Sequence, residues 1–240
     1  FLSFMVSSVY AGLKAGPVDL VMGTSPPIFQ AVSAWLVATL RRRPFLLEIR
    51  DLWPVFAIDM GVLKNPVLIS LSRWLENFLY TRAHHILVNS PAYRDYIHGK
   101  GILMEKISLI ANGVEPDLFN PQYAEAIEFR QELGIEDDCF LVTYAGALGM
   151  ANDIPTVLRA AARLHDNKKI RFLFVGDGKE RPHLEKLAQE MKLSNVIFIG
   201  SRPKTDMPKI LAASNACLAI LMDIPMFRTT YPNKVFDYMA

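Results

Sequence analysis

The sequence predicts an α/β fold built from two doubly wound parallel sheets. Short apolar, β-branched runs alternate with longer amphipathic runs along the 240 residues, which is typical of βαβ units. The pattern changes once, where Pro116 and Pro121 punctuate the chain and a charged segment ends at Gly134. We therefore predict a first domain over residues 1–115, a linker over 116–138 and a second domain over 139–240, with the two domains facing each other across a cleft.

Each half contains four predicted strands separated by helices. In the first half the strand-like runs are residues 18–22, 44–49, 86–88 and 107–110, and a helical spacing of apolar residues covers 66–82. In the second half the strand-like runs are residues 139–144, 170–175, 196–199 and 216–221. Ligands of such sheets bind beyond the carboxyl ends of the strands, so we expect the functional residues in the turns that follow them.

The composition excludes several classes of protein. Hydrophobic residues make up 51% of the chain and charged residues 21%, which favours a packed core over disorder. The formal net charge of +2 argues against a nucleic-acid-binding surface. Cys139 and Cys217 lie far apart and the five histidines have no metal-ligand spacing, so we expect no bound metal and a reducing, cytoplasmic compartment. No run reaches the ~18 apolar residues that a membrane-spanning helix needs.

Both ends of the sequence are abrupt. The chain begins without an initiator Met, inside an apolar segment that runs from Phe1 to Leu13. It ends shortly after Pro232, where proline is well suited to begin a helix. We therefore expect a fragment of a longer protein in which both domains are incomplete.

Glycine-rich turns follow three of the predicted strands of the second half. Their glycines are Gly146 and Gly149, then Gly176 and Gly178, then Gly200 before Ser201 and Arg202. Glycine lets backbone amides approach a phosphate or a nucleobase closely, so three such turns in one domain predict a nucleotide site. The chain contains neither the dinucleotide fingerprint nor a Walker sequence, so phosphate binding would depend on loop amides and isolated cations.

Five motifs, taken together and in order, resemble the family 4 retaining glycosyltransferases of the GT-B fold. The resemblance covers essentially the whole chain, and within the family it is closest to the fucosamine-transferase-like branch of bacterial surface-polysaccharide synthesis. The motifs are Arg50-Asp51-Leu52-Trp53-Pro54, Ile110-Ala111-Asn112-Gly113-Val114-Glu115, Tyr144-Ala145-Gly146-Ala147-Leu148-Gly149-Met150-Ala151-Asn152-Asp153, Val175-Gly176-Asp177-Gly178 and Pro232-Asn233-Lys234-Val235-Phe236-Asp237-Tyr238-Met239-Ala240.

The resemblance implies two Rossmann-like domains, with the nucleotide-sugar donor bound by the second. Asp237 matches the acid that holds the donor ribose, one methylene shorter than the usual Glu, and Lys234 would neutralise the pyrophosphate one helical turn earlier. The alternative is that both are solvated helix residues. The remaining donor-site residues are expected to be Gly146, Leu148, Gly176, Gly178, Ser201 and Arg202, whereas Arg181 could be structural.

Three departures from the family pattern concern the donor. Ala147 stands where many members have an Arg, and Asn152 or Asp153 stands where a Lys is expected. The donor diphosphate would then be neutralised by other cations, for which Lys234, Arg202 and Arg228 are candidates. The first Glu of the family's paired-Glu pattern is replaced by Thr229, followed by Thr230, so we expect a different donor sugar or orientation.

In the first domain the resemblance implies an acceptor site. Arg50 occupies the position of a frequent His and could bind an acceptor phosphate bidentately, while Asp51 could accept a proton from the acceptor hydroxyl. Asp51 could equally be a structural cap at the end of its strand. We expect catalysis to depend on Asp51, Arg50 and Lys234, without a cofactor beyond the nucleotide-sugar substrate.

The implied reaction transfers a sugar, with retention, from a nucleotide-diphosphate sugar to a lipid-linked glycan. A UDP-linked amino- or deoxy-sugar is the expected donor, and an undecaprenyl-diphosphate-linked glycan at the inner face of the membrane is the expected acceptor. The membrane contact would involve Phe1 to Leu13, Trp35 to Val37 and the basic residues Arg41 to Arg43, all of which could instead belong to core helices and solvated helix ends. Two alternatives are a non-hydrolysing nucleotide-sugar epimerase of the same fold and a truncated chain that binds nucleotide without catalysis.

Overall fold

Two four-stranded parallel sheets organise the structure, a computed structural model that describes residues 2–119 and 123–240. The first sheet has the strand order β1–β2–β3–β4. Its strands are β1 Val21–Ser25, β2 Phe45–Ile49, β3 His85–Val88 and β4 Ile107–Leu109. The helices of this part are α1 Leu2–Lys14, α2 Ile28–Arg41, α3 Val55–Asp59, α4 Pro66–Arg82 and α5 Pro91–Gly99.

The core of the first sheet lies on one face of its strands. In β2 the side chains of Phe45, Leu47 and Ile49 are buried, and the residues between them are only partly so. Ile86 and Val88 of β3 continue the same buried face. This period-two pattern is what a sheet with helices packed against one face requires.

Helix α4 covers the predicted range and is held by side chains at its start and in its second half. The Asn65 side chain accepts hydrogen bonds from the amides of Val67 at 2.9 Å and Leu68 at 3.2 Å, and Pro66 occupies the first turn. In its second half the buried Glu76 carboxylate accepts hydrogen bonds from the Tyr80 hydroxyl at 3.1 Å and the Lys100 amine at 2.6 Å. The ion pair ties α4 to the end of α5, because Lys100 directly follows α5.

The second sheet has the order β7–β6–β5–β8 and carries helices on both faces. Helices α7 and α8 bury one face, centred on Tyr144, Phe172 and Phe174, while α6 and α9 bury the other, centred on Leu141 and Leu173. Its strands are β5 Phe140–Ala145, β6 Ile170–Val175, β7 Val196–Gly200 and β8 Ala216–Cys217. Its helices are α6 Tyr123–Glu132, α7 Ile154–Arg163, α8 Arg181–Glu190, α9 Met207–Ala212 and α10 Asn233–Met239.

The eighth strand is shorter than the predicted 216–221. Only Ala216 and Cys217 pair with β5, and the Leu218 amide makes the last contact, with the Thr143 carbonyl at 2.7 Å. The chain then leaves the sheet, and the Met222 amide donates to the Ala151 carbonyl at 3.0 Å. The apolar run 218–221 therefore packs beside the sheet and does not extend it.

The chain divides into two compact units at points that differ from the predicted boundaries. Unit 1 comprises the residues up to Asn112 together with Asp223–Tyr231, and unit 2 comprises Gly113–Met222 together with Pro232–Ala240. The segment 116–138, expected as a linker, contributes Phe129 and Ile135 to the core of unit 2. The segment 223–231, expected in the second domain, packs within unit 1, where the ring centroids of Phe227 and Phe56 are 5.9 Å apart.

The surface of unit 1 corrects part of the expected membrane contact. Trp35 is half-buried, with its ring centroid 4.8 Å from that of Phe78, and Val37 is buried. The Arg41 guanidinium donates to the backbone carbonyls that end α1, so it acts as a cap. Within residues 2–119 and 123–240, no helix has the length and hydrophobicity needed to cross a membrane. Phe1 lies outside the described residues.

A buried arginine that sequence reasoning missed joins α6 to the rest of unit 2. The guanidinium of Arg130 donates to the Ala213 carbonyl at 2.8 Å, the Glu136 carbonyl at 2.9 Å and the Cys139 carbonyl, and it reaches the Asn215 side-chain oxygen at 3.3 Å. The side chain is only 8% exposed. One charged group therefore satisfies buried oxygens from several separate stretches of the chain.

Replacing Arg130 by Met should destabilise unit 2 by about 3 kcal/mol, because the buried oxygens lose a charged donor. All three tryptophans lie in unit 1, so tryptophan fluorescence cannot report the change. Amide exchange of β5 and β6 in urea is the suitable measurement. Arg163→Met, at the exposed end of α7, is the matched control and should leave the exchange unchanged. Equal exchange rates in the two variants would contradict the role given to Arg130.

Candidate functional site

A surface cavity of about 340 Å³ opens at the carboxyl ends of β5, β6 and β7 in unit 2. This edge of a parallel sheet is where doubly wound folds bind ligands. Four of the predicted donor-site residues lie in its wall. The lining residues are Gly146, Ala147, Val175, Gly176, Asp177, Ser201, Arg202 and Met207. Ser201 and Arg202 are exposed, and thus their side chains are free to contact a ligand.

Two of the predicted glycines are required by the packing of one loop on another. A Cβ atom at Gly176 would lie 1.9 Å from the Gly146 carbonyl oxygen, and one at Gly178 would lie 2.2 Å from the Leu148 carbonyl oxygen. Gly176 also has a φ of +143°, which side-chain-bearing residues rarely adopt. The turns after β5 and β6 thus form one close-packed pair. Leu148 itself is buried in the core below them.

Four backbone amides of these turns donate hydrogen bonds within the protein. The amides of Gly146 and Gly176 donate to the carbonyls of Val175 at 2.9 Å and Gly200 at 2.8 Å. The Leu148 amide donates to the Asp177 carbonyl at 2.9 Å. The Gly178 amide donates to the Asp177 carboxylate at 2.7 Å. These four amides are therefore not available to an anionic ligand.

The amine of Lys234, which belongs to α10, lies beside the turn after β5 at this edge of the sheet. Its Nζ lies 3.8 Å from the centre of the Tyr144 ring and 3.5 Å from the Asn152 side-chain oxygen. A Cβ atom at Gly146 would lie 2.8 Å from Nζ, so the absence of a side chain there makes room for the amine. Lys234 thus approaches Asn152, one of the two positions at which the family pattern expects a Lys.

The Lys234 amine is half-buried and has no counter-charge. Within residues 2–119 and 123–240, no carboxylate forms an ion pair with it. Burial lowers the pKa of the amine from 10.5 to about 8. At neutral pH the group is therefore a cation that is partly withdrawn from water, which is the property expected of an anion-binding residue.

The loop that faces Lys234 is held by two side chains. The Ala147 carbonyl accepts hydrogen bonds from the Tyr144 hydroxyl at 2.7 Å and from the Asn152 amide at 3.0 Å. Ala147 itself supplies no charge, although the family pattern often has an Arg there. The loop therefore has a fixed shape, but its positive charge comes from α10.

Asp237 and Tyr238 of α10 lie in the same unit as Lys234. Asp237 is half-buried and has no ion-pair partner among the described residues. Tyr238, which sequence reasoning missed, accepts a hydrogen bond from the Ala145 amide at 2.9 Å and donates one to the Ala145 carbonyl at 3.0 Å. The only sequence signal for Tyr238 is its position four residues after Lys234, which places both on one face of a helix.

In unit 1, polar side chains gather at the carboxyl ends of three neighbouring strands. Asp51 follows β2, and burial raises the pKa of its carboxyl group although the Arg50 guanidinium opposes the shift. Arg50 is exposed, and its carbonyl accepts a hydrogen bond from the Asn89 side chain at 3.1 Å. The side-chain oxygens of Asn89 and Thr24 are buried without a hydrogen-bond partner in the described structure. Asn89 and Thr24 thus lie at the same edge of the sheet as Arg50 and Asp51, the two residues predicted for an acceptor site.

The structure groups three of the predicted donor-site residues with unit 1. Arg228 is exposed and pairs with Asp223 at 3.0 Å, and the Thr230 hydroxyl lies 3.2 Å from that of Tyr93. The Thr229 side chain lies outside the described part of the chain. In unit 2, Arg181 follows the structural alternative, because Glu185 accepts from it at 2.8 Å. No cluster of three or more acidic, His or Cys side chains suited to a metal occurs in the described residues.

Two family models match the chain in succession. The model described as "Glycosyl transferase 4-like domain" matches residues 3–113, and the model described as "Glycosyl transferases group 1" matches residues 125–221. Neither model describes an epimerase.

Solved structures give the fold. The Anabaena protein HepE in complex with UDP-glucose superposes with a TM-score of 0.76 at 20% identity, covering 98% of this chain and 60% of its own. Sucrose-phosphate synthase of Thermosynechococcus elongatus also gives a TM-score of 0.76 at 20% identity, covering 99% of this chain and 57% of its own. The chain has the GT-B fold of these structures, and its two halves match glycosyltransferase models.

Two curated relatives of this chain have names that refer to glycoconjugate synthesis. The Escherichia coli K12 protein WcaI, named for glycosyl transfer in colanic acid biosynthesis, is 25% identical over 99% of this chain and 60% of its own length. The alpha-galactosylglucosyldiacylglycerol synthase of Streptococcus pneumoniae is 27% identical over 74% of this chain and 47% of its own length. Nearly all of this chain matches WcaI, but it spans only about 60% of the length of WcaI.

The Lys234 amine should titrate near pH 8 in the folded protein, because burial disfavours its charged form. Its contribution to the free energy of unfolding should therefore rise between about pH 8 and 10.5, the interval in which the unfolded chain holds the proton and the folded chain has released it. NMR of protein labelled with ¹³Cε-lysine measures the titration, and Lys234→Met identifies the resonance. A Lys234 midpoint near 10.5 would show that the amine is fully solvated.

Proposed function

We propose that unit 2 binds the diphosphate of a nucleotide sugar through the Lys234 amine. The observation that carries the proposal is a half-buried ammonium group that pairs with no carboxylate of the described residues and lies against the turn after β5, at the ligand-binding edge of the sheet. A phosphate oxygen beside it would supply the missing counter-charge and a charge-assisted hydrogen bond. Arg202, exposed in the cavity wall, is a second cation for the same ligand.

We further propose a UDP-linked sugar as the donor. HepE, which shares the fold, binds UDP and UDP-glucose. In this chain Asp237 would accept hydrogen bonds from the ribose hydroxyls, and Ser201 with Arg202 would contact the base. A cavity of about 340 Å³ has the dimensions of a small-molecule site.

The proposed reaction breaks the bond between the sugar anomeric carbon and the diphosphate and forms a bond from that carbon to an acceptor hydroxyl, with retention. Lys234 would stabilise the charge on the departing diphosphate. The acceptor proton would pass to the diphosphate or to Asp51, whose raised pKa suits a proton acceptor, and Arg50 would hold an acceptor phosphate. No cofactor or metal takes part in this scheme.

The proposed acceptor is a lipid-linked glycan, such as one on undecaprenyl diphosphate, at the cytoplasmic face of the membrane. The names of two relatives support a glycoconjugate product, one a colanic acid protein and the other a glycolipid synthase. On this basis we propose a role in bacterial O-antigen, capsule or exopolysaccharide synthesis, within the fucosamine-transferase-like branch. The donor would then carry an amino- or deoxy-sugar.

Titration with UDP by calorimetry tests the donor site. Lys234→Met should weaken binding at pH 7 by more than tenfold, about 1.4 kcal/mol. In the parent chain the affinity should fall as the pH rises above about 8, because the amine loses the proton that the diphosphate needs. Lys168→Met, an exposed lysine with no described ion pair, is the matched control. Asp237→Ala tests the ribose contact, and GDP tests the choice of base.

Unchanged UDP binding in Lys234→Met would remove the proposed diphosphate site. If the folded parent chain binds neither nucleotide, the same titration on the longer native protein separates an incomplete site from a wrong donor. Product analysis with UDP-sugar and no acceptor tests for epimerisation, for which the family models give no support.

We propose that the membrane contact involves the first half of α4 rather than residues 35–37. Val67, Leu68, Leu71 and Trp74 are each at least 50% exposed on this helix. Residues 60–75 contain Lys64 and Arg73 and no acidic residue. Exposed apolar side chains with cations and without acids suit the surface of an anionic bilayer.

Sedimentation with phosphatidylglycerol vesicles tests this contact. Leu71→Asp should weaken vesicle binding by about tenfold, because an exposed apolar side chain is replaced by a charge that the anionic surface repels. Leu164→Asp, an exposed leucine in unit 2, is the control. Vesicle binding that is absent in the parent chain, or that Leu71→Asp leaves unchanged, would contradict the assignment.

A further inference from the structure

The side of β5 that faces β8 carries a continuous row of hydrogen bonds from three different sources. The Asn215 backbone amide donates to the Leu141 carbonyl at 2.8 Å. The Asn215 side-chain oxygen accepts from the Leu141 amide, also at 2.8 Å. The residue that follows β8 satisfies the Thr143 carbonyl, which accepts from the Leu218 amide at 2.7 Å. Because alternate residues of a strand present their backbone groups to the same side, Ala145 is the next residue of the row.

The phenol of Tyr238 completes this row where the neighbouring strand has ended. Its oxygen accepts from the Ala145 amide at 2.9 Å and donates to the Ala145 carbonyl at 3.0 Å. Ala145 is only 7% exposed, so water is poorly placed to replace the phenol. Burial raises the pKa of the phenol, which therefore keeps its proton and remains a donor throughout the range in which the nearby amine titrates.

Three successive residues, the last two of β5 and the glycine that follows, therefore lie against side chains of α10. The ring of Tyr144 lies below the Lys234 amine, the backbone of Ala145 is bonded by Tyr238, and Gly146 leaves the space that the amine fills. Lys234 and Tyr238 are four residues apart, so they project from one face of the helix. The Tyr238 phenol and the Lys234 amine therefore both contact the end of β5 from the same face of α10.

We propose that Tyr238 is the positioning residue of the donor site: its two hydrogen bonds to Ala145 fix α10 and so hold the Lys234 amine against the turn that begins at Gly146. The inference rests on the proposed binding of a diphosphate by Lys234. Tyr238 does not touch the ligand in this arrangement. It acts by limiting the positions that the amine can occupy, which lowers the entropy cost of binding.

Tyr238→Phe tests the proposal, because it removes the hydroxyl and keeps the ring. Without ligand, the NMR titration midpoint of Lys234 should move up from about 8, since the amine gains access to water. The affinity for UDP at pH 7 should fall about tenfold, as expected for the loss of two hydrogen bonds to backbone groups. Tyr10→Phe, at an exposed tyrosine of α1, should change neither quantity.

The two readouts separate this proposal from the one on which it rests. An unchanged Lys234 midpoint and unchanged UDP affinity in Tyr238→Phe would overturn the positioning role, even if Lys234→Met abolishes binding. A shifted midpoint in Tyr238→Phe, with UDP binding that no Lys234 variant affects, would support the attachment and overturn the diphosphate assignment.

A second variant covers the case in which Tyr238→Phe unfolds unit 2, which amide exchange of β6 would detect. Replacement of Tyr238 by 4-aminophenylalanine keeps a neutral donor for the Ala145 carbonyl on a ring of similar shape. It should restore part of the UDP affinity and return the Lys234 midpoint towards 8. A folded 4-aminophenylalanine variant that restores neither would contradict the proposal.

Discussion

A lysine amine that is partly removed from water without a carboxylate beside it is the constraint on which unit 2 depends. Burying an uncompensated charge is costly, and among the described residues the amine is stabilised by the π-face of Tyr144 and a long contact with Asn152. The surrounding sequence follows from this constraint. Gly146 leaves room for the amine, and its φ of +146° is one that residues with a side chain rarely adopt. The helix that bears the lysine must be attached firmly, since a mobile α10 would return the amine to solvent.

The glycine turns after β5 and β6 pack closely on each other. Gly176 and Gly178 allow this approach, because a Cβ atom at either position would clash with a carbonyl oxygen of the turn after β5. Four amides of these turns donate to oxygens of the protein itself. Two side-chain cations lie near the turns, of which Lys234 is half-buried and Arg202 is exposed. Ala147, at a position where the family pattern described above has an arginine, contributes no charge.

The sequence was sufficient to predict the regular parts of the fold, because they depend on local patterns. The strands at 140–145 and 170–175 are apolar runs long enough to be read directly, and α4 has Asn65 and Pro66 at its start. What could not be predicted depends on partners distant in the chain. Tyr238 bonds a backbone 93 residues away, and Arg130 bonds Ala213 across 83 residues. No local pattern distinguishes such a phenol or guanidinium from a solvated one.

The nine residues 223–231 have a consequence for how this architecture can change over evolution. They belong to unit 1, yet unit 2 precedes and follows them in the chain. A recombination that exchanged everything after Asn112 would therefore pair the Phe56 and Tyr93 of one parent with the Phe227 and Thr230 of another. New combinations of the two units require either matched changes at those contacts or a double crossover that keeps the segment with its own unit. Each unit is compact in space, but each is built from two separate stretches of the chain. Point substitution is therefore an easier route to a new specificity than the exchange of whole units.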